Sequence, residues 1–142
     1  MLISPVQIIQ DALRLLRVIG EGEDASPRDQ LAGWSALQMM LDAWTGDPSM
    51  VPDLCDDFLM PGFATMESAV EVPAGSAGLK SMITYNLAVE IASTFGAVVD
   101  SAVAARAAST LSNWRTRVSA LHIGRMRHPE WEGCRHYDIR EG

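Results

Sequence analysis

Residues 4–20 read SPVQIIQDALRLLRVIG and residues 26–46 read SPRDQLAGWSALQMMLDAWTG. The two stretches share one grammar. Each opens on a serine that can occupy the N-cap, followed by a proline at the first helical position, where its missing N–H has no intrahelical partner. Each ends at a glycine, Gly20 or Gly46, the residue that most easily stops a helix. In the first, Ile8, Ile9, Ala12, Leu13, Leu16 and Ile19 recur at helical spacing, which predicts a helix from Ser4 to about Ile19. In the second, Asp29 stands in the opening turn, where the helix dipole favours an acid, and Leu31, Trp34, Leu37, Leu41 and Trp44 form the stripe. Two capped helices joined by the short connection Glu21–Ala25 predict an antiparallel hairpin.

Working outward, residues 47–76 break the pattern. Pro48, Pro52, Pro61 and Pro73, with Gly62 and Gly75, exclude a long helix there. Ala69-Val70-Glu71-Val72 alternates enough for a short strand, with Phe58-Leu59-Met60 as its expected partner across the Pro-Gly turn. An irregular insertion of this length in a compact domain is uncommon and often functional. Helical spacing resumes over Ala77–Phe95, through Leu79, Met82, Ile83, Leu87, Ile91 and Phe95, and Gly96 closes it. A fourth helix opens near Asp100 or Ser101 and is expected to run to about Ile123. It carries Val103, Ala107, Leu111, Trp114, Val118 and Leu121, with Gly124 as the stop. Its first half is rich in alanine, and Ala104, Ala105 and Ala108 would let another helix approach closely. Residues 125–142 lack helical periodicity and read as an arm. The expectation is an all-α chain: a four-helix bundle over 1–124, with a short extended or β-hairpin insertion at about 47–76, and an extended C-terminal arm over 125–142.

Composition agrees with one helical domain. The chain has 142 residues, 48% of them hydrophobic, 6% aromatic, with eight methionines. A chain of that length buries enough surface to fold without disulfide or metal. No apolar run reaches the roughly 20 residues needed to cross a bilayer, and Gln7, Gln10, Asp11, Arg14 and Arg17 interrupt the apolar start, unlike a signal peptide. Cys55 and Cys134 are too few for a disulfide scaffold, so a reduced cytoplasmic setting is expected.

Charge narrows the function. The net charge of −7 argues against a dedicated DNA-binding domain. Its distribution is uneven. Residues 1–100 hold four basic groups (Arg14, Arg17, Arg28, Lys80) against 14 acids, whereas residues 101–142 hold seven arginines against four acids. An acidic body repels polyanions, and an arginine-rich arm suits an acidic protein neighbour. Composition alone favours the plainer account, a solvated face with a frayed end.

Chemistry-bearing motifs are sparse. There is no phosphate loop, dinucleotide fingerprint, nucleophile elbow or zincin motif. His122, His128, Cys134 and His136 are zinc-ligand types, but structural zinc sites pair their ligands two to four residues apart. Here the gaps are five, five and one. Asp53, Asp56 and Asp57 lack the alternation and turn glycine of a calcium loop. Glu67 and Glu71 could act as an acid/base pair only if a pocket raised one pKa. The reading is that the chain is not an enzyme and holds no cofactor or metal. Trp34, Trp44 and Trp114 sit on apolar stripes and are expected in the core. Trp131, outside any helix among arginines, has the composition of a docking anchor, or belongs to a tail folded back on its own domain.

The order of elements resembles the head-to-tail adaptor family of tailed bacteriophages, whose short-tailed-phage members are the packaged-DNA stabilisation proteins or tail accessory factors. Three stretches carry the likeness. Ile8-Ile9-Gln10-Asp11-Ala12-Leu13-Arg14-Leu15-Leu16-Arg17-Val18-Ile19-Gly20 is similar to the family's first helix with its terminal glycine. Ala36-Leu37-Gln38-Met39-Met40-Leu41-Asp42-Ala43-Trp44 is similar to the second. Gly78-Leu79-Lys80-Ser81-Met82-Ile83-Thr84-Tyr85-Asn86-Leu87-Ala88-Val89-Glu90-Ile91-Ala92 is similar to the third, where a Tyr-Asn-Leu-Ala core precedes a glycine. The likeness spans about residues 5–120, leaving the insertion and the tail unaligned.

The resemblance implies a virion protein, made in the host cytoplasm, that assembles under the portal ring, usually as twelve copies. There it extends the DNA channel, helps retain the packaged genome and offers a platform for the next tail or neck component. No membrane is involved, and double-stranded DNA passes without sequence readout. A closed ring needs one patch to meet a different patch on the neighbour; the alanine face of helix four (Ala104, Ala105, Ala108) and the 47–76 excursion offer two. The arm would engage the portal, Arg125, Arg127, Arg135 and Arg140 forking onto carboxylates and Trp131 or Tyr137 filling a groove. The alternative is a small helical DNA-binding regulator, which the lone Arg28 on the second helix disfavours. A cell-wall enzyme using Glu67 and Glu71 ranks below both.

Overall fold

The computed structural model describes residues 1–51, 60–72 and 78–127, with side chains through residue 120. In chain order it contains β1 (Leu2–Ile3), α1 (Pro5–Leu15), α2 (Pro27–Thr45), β2 (Val70–Glu71), α3 (Leu79–Ile91) and α4 (Ser101–Arg127). Among the described residues no helix is long and apolar enough to cross a membrane.

The hub is α3. Leu79, Met82, Ile83, Leu87, Ala88 and Ile91 are all buried, together with Thr84. These positions go right round the helix instead of forming one stripe, because α1, α2 and α4 each pack on it from a different side. Thr84 is tolerable there because its hydroxyl donates to the Lys80 carbonyl one turn back, at 2.8 Å. From α1 come Ile8, Ile9, Ala12 and Leu13, from α2 Leu37, Met40 and Leu41, and from α4 Val103, Trp114 and Val118.

The helix ends follow local chemistry, with two corrections. Ser26 caps α2 as expected, its Oγ accepting from the Asp29 N–H at 3.2 Å. Ser4 sits at the N-cap of α1 but its side chain makes no capping bond. The first correction is that α1 stops at Leu15, short of Ile19 and Gly20. The Arg17 N–H donates to the Arg14 carbonyl and the Val18 N–H to the Leu13 carbonyl, at 2.9 and 3.0 Å. That pair of bonds is a Schellman stop, and it forces Arg17 into the left-handed region at φ 57°. The turn after α3 closes in the same way, but with a glycine: Gly96 at φ 61°, and Ala97 N–H donating to the Ala92 carbonyl.

The second correction concerns α4, which runs through Gly124 to Arg127. One glycine in a helix interior costs only about 1 kcal/mol, too little to stop a helix whose neighbours favour continuing. At 1.5 Å per residue the 27-residue α4 is about 40 Å long, and it takes in Arg125 and Arg127 from the expected arm.

The strand expectation is half right. Val70–Glu71 is a strand, but its partner is β1 at the chain's start, antiparallel, with Leu2 opposite Glu71 and Ile3 opposite Val70. Met60 is not in a strand; Phe58 and Leu59 lie outside the described residues. The pairing brings fully buried Ile3 and nearly buried Val72 under the helices, and that burial is what selects the N-terminus over a local hairpin. The α1–α2 hairpin is tight: Ile9 lies against Gly33, where an added Cβ would sit 2.5 Å from Ile9 Cγ2.

Candidate functional site

Two bonds explain why particular polar residues sit where α4 meets the body. The Asn86 carboxamide N–H donates to the Met82 carbonyl at 2.8 Å on its own helix and to the Ala107 carbonyl at 3.2 Å across on α4. An asparagine in mid-helix is otherwise unfavourable; this one stitches α3 to α4, which gives the Tyr85-Asn86-Leu87-Ala88 segment a physical reason. The Trp114 indole N–H donates to the Met50 carbonyl at 2.8 Å, deep in the interior, and Arg117 lies 5.7 Å over the Trp114 ring. Trp114 is thus core, as expected, whereas Trp34 and Trp44 are only half-buried against it.

Several concavities lie on the described surface, three of them where helices meet. A cleft of about 400 Å³ runs between the start of α3 and α4, among Ser81, Arg106, Ser109, Asn113 and Arg117. A second, about 550 Å³, lies where α1 meets α3 and holds an ion cluster. There Asp11 pairs with Arg14 at 3.1 Å and with Lys80 at 3.5 Å, beside Leu15 and Tyr85. Sequence alone offered no signal for it, since Lys80 stands far from Asp11 along the chain. The third, about 380 Å³, is bounded by Ala36, Met39, Met40, Ala43, Trp44 and Glu90 on α2 and α3.

At the foot of α2, the Asp47 carboxylate accepts bonds from both the hydroxyl and the backbone N–H of Ser49, at 2.7 and 2.9 Å. Those two bonds, with Arg115 at 3.8 Å, hold its pKa below the ordinary value of 3.8.

The residues singled out in the sequence fall in different places. Ala104, Ala105 and Ala108 are exposed on α4, on the side turned from the core. Arg125 and Arg127 lie on its last turns, while Trp131, Arg135, Tyr137 and Arg140 lie outside the described residues. So do Asp53, Asp56, Asp57, His128, Cys134 and His136. Glu67 and Glu71 are both solvent-exposed, and Glu71 faces the N-terminal ammonium at 4.0 Å. Among the described residues no group of three or more His, Cys, Asp or Glu side chains is placed to hold a metal ion.

The most unusual surfaces are helix faces. The outward positions of α4 over residues 101–120 include Ser101, Ala102, Ala105, Ala108, Ser109, Ser112, Thr116, Ser119 and Ala120, all small and all exposed. A helix that faces only water normally carries long charged side chains there. On α2 the stripe is rotated from the expected one. Leu31, expected in the core, is 59% exposed, and Met39 is 71% exposed; the buried line runs through Gly33, Leu37, Met40 and Leu41. The missed signal was Gly33, whose lack of a side chain marks the close-packed line. No family model, curated protein or solved structure matches the chain.

Proposed function

We propose that this chain is a structural virion protein, a head-to-tail adaptor that forms a ring beneath the portal. In that place it extends the DNA channel, helps retain packaged DNA and presents a platform to the next tail or neck protein. The observation that carries the reading is the outer face of α4 over residues 101–120, nine exposed alanines, serines and threonines that include Ala105 and Ala108, with Ala104 exposed at its edge. Such a face gives a monomer no solubility advantage and gives a neighbouring helix close access.

The charge balance supports the same role. A passing duplex slides if its wall does not bind phosphates, since each phosphate neutralised by Lys or Arg adds affinity. With 14 acids against four basic groups over residues 1–100, the body repels the backbone. The arginines beyond residue 120 supply the charge for docking: Arg125, Arg127, Arg135 and Arg140, with Trp131 and Tyr137 as apolar anchors on an acidic portal surface.

Electron microscopy of the protein mixed with its cognate portal tests this directly. A cyclic density stacked coaxially on the portal is expected. Monomers that never bind the portal defeat the proposal, as does tight, salt-sensitive DNA binding by the isolated chain, which belongs to the regulator alternative. Removal of residues 128–142 should abolish portal binding while the far-UV helical signal persists.

A further inference from the structure

Resting on the adaptor reading, we infer that the contact between neighbouring copies places the α2 groove of one subunit on the small-residue face of α4 of the next. The geometry offers two unlike surfaces. On α2, Leu31 and Met39 project from the outward face two turns apart, 59% and 71% exposed. Beside Met39 the 380 Å³ groove runs between α2 and α3, floored by Met40 and Trp44. Long flexible apolar side chains held out in water at this spacing are knobs without holes. On α4 over residues 101–120 the outward face is the reverse: made of Ala105, Ala108, Ser109 and Ser112, with nothing longer than a threonine along its middle and Arg106 and Arg115 exposed at its edges.

Charge selects α4 of another copy as the occupant. Glu90 lines the groove and Asp42 is exposed beside Met39's turn, so its rim is acidic. Over residues 101–120 α4 carries Arg106, Arg115 and Arg117 and no acid. Arg106 is exposed, and Arg115, also exposed, contacts Asp47 at 3.8 Å. A second α2 would meet acid with acid, which disfavours a two-fold dimer. The contact is therefore head to tail: every added copy leaves one α2 groove and one α4 face open until rotation closes the ring. One helix lying on another buries less than the roughly 1,200–2,000 Å² of a durable interface. Isolated pairs are then weak, and the closed ring, in which each copy is held twice, is the stable form.

Single cysteines report the geometry. In full-length protein with Cys55 and Cys134 changed to serine, Met39→Cys and Ala105→Cys chains are made separately, mixed and oxidised, and mass photometry is run alongside with and without the portal. A disulfide between the two different variants, and a ladder of multimers from a chain carrying both, is the expected result. Rings that form without that cross-link overturn this inference and leave the adaptor reading standing, another surface or another neck protein being the occupant. A Met39–Met39 disulfide as the main product overturns the head-to-tail contact. Absence of any assembly, even with the portal, overturns both. Independently, Met39→Asp should raise the concentration for half-assembly at least about tenfold, with the circular dichroism spectrum unchanged. Gln7→Asp, at an exposed position on α1, should leave assembly as it was.

Discussion

Gly33→Ala pits two well-measured effects against each other. In an unhindered helix interior, alanine is favoured over glycine by about 0.8–1.0 kcal/mol. Here the new Cβ would lie 2.5 Å from Ile9 Cγ2 and 3.3 Å from Ile9 Cγ1. Carbon atoms rest about 3.5–4.0 Å apart, so α1 and α2 must part by about 1 Å or Ile9 must turn. Turning is hard: Ile9 is fully buried, and branching at Cβ leaves it one favoured rotamer in a helix. Overpacking of this kind costs about 1–3 kcal/mol. The balance is a net loss of about 1 kcal/mol, read by urea unfolding followed by far-UV circular dichroism at an unchanged m-value. The sign should reverse when Ile9 is first cut to alanine. That change alone costs about 2–5 kcal/mol, and on its background Gly33→Ala should stabilise by about 1 kcal/mol. The resulting coupling of about 2 kcal/mol lies within the range for residues in contact. If Gly33→Ala stabilises the parent as much as it stabilises the Ile9→Ala protein, the close approach of α1 and α2 is wrong.

Other positions follow from single contacts. Arg17→Gly relieves a left-handed conformation at φ 57° that costs a side-chain-bearing residue roughly 1–2 kcal/mol; after the added freedom of the unfolded chain, about 1 kcal/mol of stabilisation should remain, a rise in Tm of about 3 °C. Asn86→Ala removes the bond to Ala107 and should destabilise by about 1–2 kcal/mol in urea; no change would mean that the α3–α4 stitch contributes nothing. Asp47 should titrate below 3.8 by carboxyl carbon NMR, and Ser49→Ala should bring it back toward that value. Because its folded pKa is depressed, its small stabilising contribution is present above the ordinary carboxylate range and is lost as pH falls through the lowered value.

The helices were legible wherever periodicity and caps agreed. Ser26-Pro27 and Thr45-Gly46 bracket α2 to the residue, because both ends carry chemistry that acts locally. Where tertiary contacts compete with a local signal, sequence reading fails. Gly20 looked like the stop of α1, but the chain turns at Arg17, keeping Leu13 and Leu16 buried while the backbone takes a conformation arginine dislikes. Gly124 looked like the stop of α4, and a single glycine could not outweigh its helix-forming neighbours. The partner of Val70–Glu71 was beyond reach, since joining it to Leu2–Ile3 closes almost half the chain and no local pattern records such a pairing.

The candidate surface was half legible for a related reason. Alanine at positions 104, 105 and 108 shows in the sequence whichever way the helix faces. Whether Leu31 or Met40 enters the core depends on helix rotation by less than a quarter turn, and that is set by Gly33 against Ile9. The same close contact that fixes the rotation pushes Leu31 and Met39 outward. A looser α1–α2 pairing would let α2 roll, turning Leu31 toward the core and Met39 further from it, and would break up the face the two present together. Gly33→Ala should therefore loosen assembly as well as folding, and a variant that lost stability yet kept full assembly would separate the knobs from the packing that presents them.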